Sequence, residues 1–304
     1  MKQKRLKREG KKLTLFTFAQ NIANELELAG RERTKEVYFS AINSFKEFRK
    51  GKDITFDMLS NGLMLSYESY LRDKGLCSNT SSFYIRAIRA IYKKAVDRGL
   101  VVQSFPFKGV YTGVDETVKR ALKIELLKKI KHLHLSGSLQ FARDIFLFSF
   151  YTRGMSFVDM AFLKRDNLAD GVLHYRRRKT GKLISVKWED CMQDIVDKYG
   201  DAESQYLLPL ISENTTNIRQ SYLNAAHTIN RNLKIIGKML LIRHSLTMYV
   251  ARHTWATLAK NNDIPIYMIS ESLGHESIKT TKIYLASVDN VAVDNANKIL
   301  INLL

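Results

Sequence analysis

The chain has 304 residues, 45% of them hydrophobic, with 49 Lys and Arg against 30 Asp and Glu, for a formal net charge of +19. That apolar fraction excludes an intrinsically disordered chain, and the length suits two domains that each bury a core. The positive excess points to a polyanionic partner, while Cys77 and Cys191, far apart and without CxxC spacing, exclude a disulfide framework and a cysteine-based zinc site.

Residues 1–12 hold seven basic side chains and one acid with no apolar period, the pattern of an electrostatic arm. The short apolar stretch that follows, Leu13 to Ala19, lacks a small-residue cleavage site, so the expected compartment is the reducing bacterial cytoplasm. Residues 13–103 carry helical spacing. Val37, Ala41, Ile42, Phe45 and Phe48 follow the candidate cap Thr34, and Leu59, Leu63, Tyr67 and Leu71 repeat the period. A third helix opens on Ser78-Asn79-Thr80 and sets Tyr84, Ala87, Ile88, Ile91 and Ala95 on one face. Arg86, Arg89 and Lys93 form a basic stripe on the other, a candidate DNA contact. A solvated helix face has the same pattern, so the stripe gains its weight from the basic chain around it.

Residues 104–120 break the period at Pro106, Gly109 and Gly113 and mark a domain boundary. In the expected second domain, 121–304, Leu122 to Leu133 and Phe141 to Phe150 have helical spacing. The apolar run Ile145 to Tyr151 is seven residues long, well short of the ~18 that a membrane span needs. Val172 to Trp188 places two β-branched or aromatic runs around Thr180-Gly181, a β-hairpin in a mostly helical domain. His132 and His134 lack a third metal ligand in pattern, so no metal site is expected. The segment Thr247 to Lys260 has helical period, with Met248, Ala251, Trp255, Leu258 and Ala259 on one side and Tyr249, Arg252, His253 and Lys260 on the other. Ile269 to His275 ends a helix at Gly274, Glu276 to Tyr284 starts another, and Val291 to Leu304 is amphipathic.

Singly, each of these histidines, arginines and tyrosines has an ordinary structural reading. Their joint spacing does not. An Arg252-His253-Thr254 helix, then Leu273-Gly274-His275, then Tyr284 nine residues after that histidine resembles the tyrosine recombinase, or phage integrase, family. The resemblance extends over most of the chain. It implies a mainly α fold with a small β-sheet: a helical, SAM-like core-binding domain followed by an α+β catalytic domain whose C-terminal helix links subunits. It also implies a compact member without a separate arm-binding domain.

By that resemblance, Tyr284 attacks the scissile phosphate and forms a 3′-phosphotyrosyl link, with no metal, ATP or other cofactor. Arg252 matches the family's second catalytic arginine, His275 the histidine of the Leu-Gly-His motif, and Lys179 the lysine of the hairpin, with Lys182 as the alternative. The implied partners are double-stranded DNA carrying inverted-repeat sites and three further copies of the chain. DNA inversion, as in phase variation, is the implied outcome, with element integration as the alternative. Two positions depart from the family pattern. Tyr249 stands where the family has histidine, and a phenol is a poor proton acceptor at neutral pH. In Tyr151-Thr-Arg-Gly-Met-Ser-Phe-Val-Asp159, Ser156 falls in the first arginine slot, so Arg153 is expected to supply that charge while Asp159 orients the arginines. These departures motivate a rival: a DNA-binding protein that kept the fold and lost efficient chemistry.

Overall fold

The computed structural model describes residues 13–115, 120–213, 215–277 and 281. The basic arm 1–12, Tyr284 and the amphipathic segment 291–304 lie outside the described residues. The chain divides into two compact units, Met1–Thr117 and Val118–Leu304, whose described residues are mostly helical with one small sheet.

The first unit is built from α1 (Leu15–Leu28), α2 (Glu32–Phe48), α3 (Asn61–Asp73) and α4 (Ser78–Asp97), with a single 3-10 turn at Phe56–Met58. Each helix turns one apolar stripe inward: Leu15, Phe18 and Ile22 of α1 meet Ala41 and Phe45 of α2, Met64, Tyr67 and Leu71 of α3, and Ile85, Ile88 and Ile91 of α4. Burying such stripes against each other, more than helix propensity, holds the bundle together. The wholly buried Tyr67 packs edge-on against Phe45 at 4.9 Å and donates its hydroxyl proton to Ser44 Oγ at 2.8 Å. Arg86, Arg89 and Lys93 stand exposed along the outer face of α4. Residues after α4 return to this unit: Val110 is buried in its core, Asn61 Nδ2 donates to Pro106 O, and Ser82 Oγ donates to Gly113 O.

The second unit holds α5 (Ile124–His132), α6 (Gly137–Tyr151), α7 (Phe157–Ala161), strands β1 (Leu168–Ala169), β2 (Val172–Arg176) and β3 (Leu183–Lys187), α8 (Asp190–Tyr199), α9 (Ile218–Met239), α10 (Met248–Asn261) and α11 (Ile266–Ser272). The strands pair antiparallel in the order β1-β2-β3, with Tyr175 opposite Ile184 and Arg176 opposite Leu183. Their alternation sends Leu173, Tyr175, Ile184 and Val186 into the core and His174, Arg176 and Lys187 outward. The turn between β2 and β3 closes as expected around Gly181, whose φ of +72° suits a residue without Cβ.

Helix α6 is apolar nearly all round because α5, α8, α9 and α10 all pack on it, leaving Ile145, Phe146 and Phe148 buried. Among the described residues, no helix is long and apolar enough to cross a membrane. A single acid locks α8 onto this central helix. Asp144, 5% exposed, accepts from Arg143 Nε at 2.7 Å, Lys198 Nζ at 2.8 Å and the Tyr199 hydroxyl at 2.7 Å. Burial pushes its pKa up, but these three donors outweigh burial and hold it below the usual carboxylate range. Asp144→Ala would leave the largely buried Arg143 charge without its carboxylate and is expected to cost about 3 kcal/mol in chemical denaturation. A loss under ~1 kcal/mol would show that water replaces the bonds of Asp144 and that the cluster does not hold α8 in place.

Candidate active site

Helix α10 begins at Thr247, an extended residue, and Asn230 Oδ1 on α9 accepts from Met248 N at 2.9 Å, satisfying one of the amides left open by the first turn. Ala251, Thr254 and Ala256 sink into the unit, and so does Arg252, only 4% exposed. The guanidinium donates from Nη1 to Gly154 O at 2.7 Å and from Nη2 to Leu273 O, and Nη2 also lies 3.3 Å from His275 Nε2. Three fixed partners leave the plane of the fork little freedom. Gly154 makes the close approach possible: its φ is +74°, and a Cβ there would sit 2.9 Å from Arg252 Cα.

Helix α11 ends in a tight reversal, in which Gly274 N bonds Glu271 O and His275 N bonds Ser270 O, with Gly274 at φ +63°. Two arginines fasten this reversal from either side. Arg252 takes the carbonyl of Leu273, and Arg177, 8% exposed at the end of β2, takes the carbonyl of Gly274 through Nη1 at 2.7 Å. A Cβ on Gly274 would meet Ile184 Cδ1 at 2.7 Å and Arg177 Cδ at 2.9 Å, so the hairpin also requires glycine here.

His275 leaves this turn with 8% exposure. A guanidinium only donates hydrogen bonds, so Nε2, facing Arg252, is the accepting nitrogen. Nδ1 then carries the proton and donates it to Thr281 Oγ1 at 2.7 Å. Burial, then the charges of Arg252, Arg177, Lys179 and Lys182, lower the pKa of His275 to about 4. The imidazole is therefore neutral at pH 7, with a lone pair on Nε2.

Arg252, His275, Lys179 and Tyr249 line one cavity of about 890 Å³, together with Arg177 and Lys234. Of the two hairpin lysines, Lys179 reaches this wall and Lys182 does not. Tyr249 is 57% exposed, its ring edge-on to His253 at 4.5 Å. The structure does not bring Arg153 to the same wall. That residue adopts φ +58° behind α6, and its Nη1 contacts Ser185 O on β3 at 3.4 Å. Ser156 does line the cavity, but its hydroxyl caps α7 and donates to Asp159 Oδ2 at 2.7 Å. The other oxygen of Asp159 accepts from the backbone of Arg178 at 2.8 Å, so this acid anchors the hairpin turn. Sequence reasoning missed Arg177, Lys234 and Thr281. For Arg177 a signal existed, because it continues the inward positions Leu173 and Tyr175.

Both stretches of the chain have counterparts among known proteins. Residues 14–110 match the phage integrase SAM-like domain, and residues 146–290 match the phage integrase family. The chain belongs to the phage integrase family of tyrosine recombinases. These recombinases are enzymes that break and rejoin DNA. Similar members include a tyrosine recombinase of Agathobacter rectalis, 26% identical over 52% of this chain and 58% of that protein. Another is the tyrosine recombinase XerD of Oceanobacillus iheyensis, 21% identical over 83% of this chain and 87% of that one. Among solved structures, a lambda integrase tetramer bound to a Holliday junction covers 93% of this chain and 81% of its own at a TM-score of 0.64. Its 17% identity makes that a likeness of fold. In this recombinase, Gly154→Ala should lower the unfolding free energy by about 1–2 kcal/mol through its left-handed backbone. By displacing Arg252, it should also slow DNA cleavage about 100-fold. Unchanged cleavage would show that the Gly154–Arg252 contact does not set the site.

Proposed function

We propose that this recombinase cuts one DNA strand with Tyr284 and holds the broken end as a 3′-phosphotyrosine. The supporting observation is the convergence of Arg252, His275 and Lys179, from three separate stretches of sequence, on one cavity wall. The Tyr284 oxygen attacks phosphorus as its proton passes to His275 Nε2, which gives up its 3.3 Å contact with Arg252, and the bond to the 5′-oxygen breaks. Lys179 protonates that leaving oxygen. Arg252 binds the non-bridging oxygens, where negative charge grows in the transition state. The ester conserves the energy of the broken bond, so a 5′-hydroxyl from a partner strand reverses the step with no cofactor.

His275, neutral at pH 7, is the group placed to accept the proton. The negative scissile phosphate offsets the surrounding cations and so raises His275 toward a pKa better matched to proton transfer. Arg86, Arg89 and Lys93 on α4 are proposed to contact the duplex backbone, and salt would weaken that contact. Four copies acting on paired inverted-repeat sites would exchange strands. The orientation of the two sites in the DNA then sets the outcome: inversion when opposed, integration or excision otherwise.

Incubation with a nicked suicide DNA substrate bearing the cognate site tests the chemistry. The wild type should give an SDS-resistant protein–DNA adduct, and Tyr284→Phe should bind the site without forming one. An adduct from Tyr284→Phe would move the nucleophile elsewhere, and no adduct from either protein would favour the rival, a DNA-binding protein without strand cleavage.

A further inference from the structure

An arginine fork and a second cation on opposite sides of a phosphodiester stabilise its growing charge better than one arginine alone. The chain places no arginine at Ser156, whose hydroxyl is neutral and is engaged with Asp159. Arg153, the nearest arginine in sequence, leans on Ser185 O and stays off the cavity wall. The hairpin delivers a different guanidinium. Inward alternation along β2 carries Leu173 and Tyr175 into the core and brings Arg177 to the cavity that Arg252, Lys179 and His275 line.

We propose that Arg177 is the second guanidinium that binds the scissile phosphate, supplying from the hairpin the charge that Ser156 cannot. Three features of its setting support this role. It is held in place before any substrate arrives, with Nη1 on Gly274 O at 2.7 Å and its Cδ against Gly274. Asp159 fixes the next residue of the turn through Arg178 N, which sets the base from which the side chain departs. Arg177 and Arg252 grip consecutive carbonyls, Gly274 and Leu273, so the two forks flank the turn that carries His275. Arg177 is also the second cation, after Arg252, to depress the His275 pKa, as a charge beside the imidazole does.

The inference rests on the proposed cleavage reaction. Its test therefore begins with the wild type on the suicide substrate: absence of an adduct there defeats the cleavage reading and this inference with it. With the wild type active, Arg177→Ala should form adduct about 100- to 1000-fold more slowly. Site binding should stay within about threefold and the circular dichroism should be unchanged. Arg177→Lys, which keeps charge and loses the fork, should fall between. The decisive arm replaces the scissile phosphate with a methylphosphonate, which removes one non-bridging charge. On that substrate the Arg177→Ala deficit relative to wild type should shrink below about tenfold, because there is less charge left to neutralise. Two results would overturn the assignment: near-normal cleavage by Arg177→Ala with the loss appearing in Arg153→Ala, or an equal deficit on both substrates. The latter would make Arg177 a support for the His275 turn rather than a contact of the phosphate.

Discussion

The turn at Leu273-Gly274-His275, gripped on two successive carbonyls by Arg252 and Arg177, is the point on which the catalytic unit depends. A buried guanidinium is costly unless its donors are met. Here backbone carbonyls accept from one nitrogen of Arg177 and from two of Arg252, and a carbonyl can satisfy a donor without cancelling its charge. These carbonyl bonds leave the arginines' positive charge in the site, where it depresses the pKa of His275. The same bonds also fix the turn that carries the histidine and set its Nε2 beside Arg252.

The rest of the unit serves this arrangement through sterics. Helix α6, buried by its neighbours, ends at Tyr151 and leads into Gly154, whose missing Cβ lets Arg252 come within contact of the backbone. The hairpin meets the turn at Gly274, which lacks room for any side chain between Ile184 and Arg177. Thr281, wholly buried, takes the Nδ1 proton of His275 and so determines which nitrogen faces the arginine. Two glycines and one threonine thus govern distances among charged groups that they do not themselves carry.

Much of this was legible in the sequence, and the failures have physical causes. Helical period located α2 to α5 and α10, because each buries one regular face; an apolar run located α6, and two β-branched or aromatic runs around Thr180-Gly181 located the hairpin. The spacing of Arg252, Leu273-Gly274-His275 and Tyr284 carried the family resemblance, since a motif held within one or two elements survives as a pattern of letters. Position 153 was harder. Counting along the chain made Arg153 the nearest charge to the empty arginine slot, but the left-handed residues after α6 turn it toward β3. Arg177 was hidden inside Arg176-Arg177-Arg178-Lys179, where only the two-residue alternation of a strand separates an inward arginine from outward ones. Asp159 was expected to orient arginines and instead holds Ser156 and the backbone of Arg178, a contact 19 residues away in sequence.

The most direct test of this electrostatic arrangement is an NMR titration of the His275 ring in the full-length protein free of DNA. A buried histidine under the charges of Arg252 and Arg177, and depressed to a pKa of about 4, binds its proton later than an ordinary histidine as pH falls. The ring should remain neutral, in the Nδ1–H form, from pH 8 down to about 4.5. Protonation near the ordinary value of about 6.5, or a ring carrying its proton on Nε2, would contradict the burial of His275 with Nε2 facing Arg252.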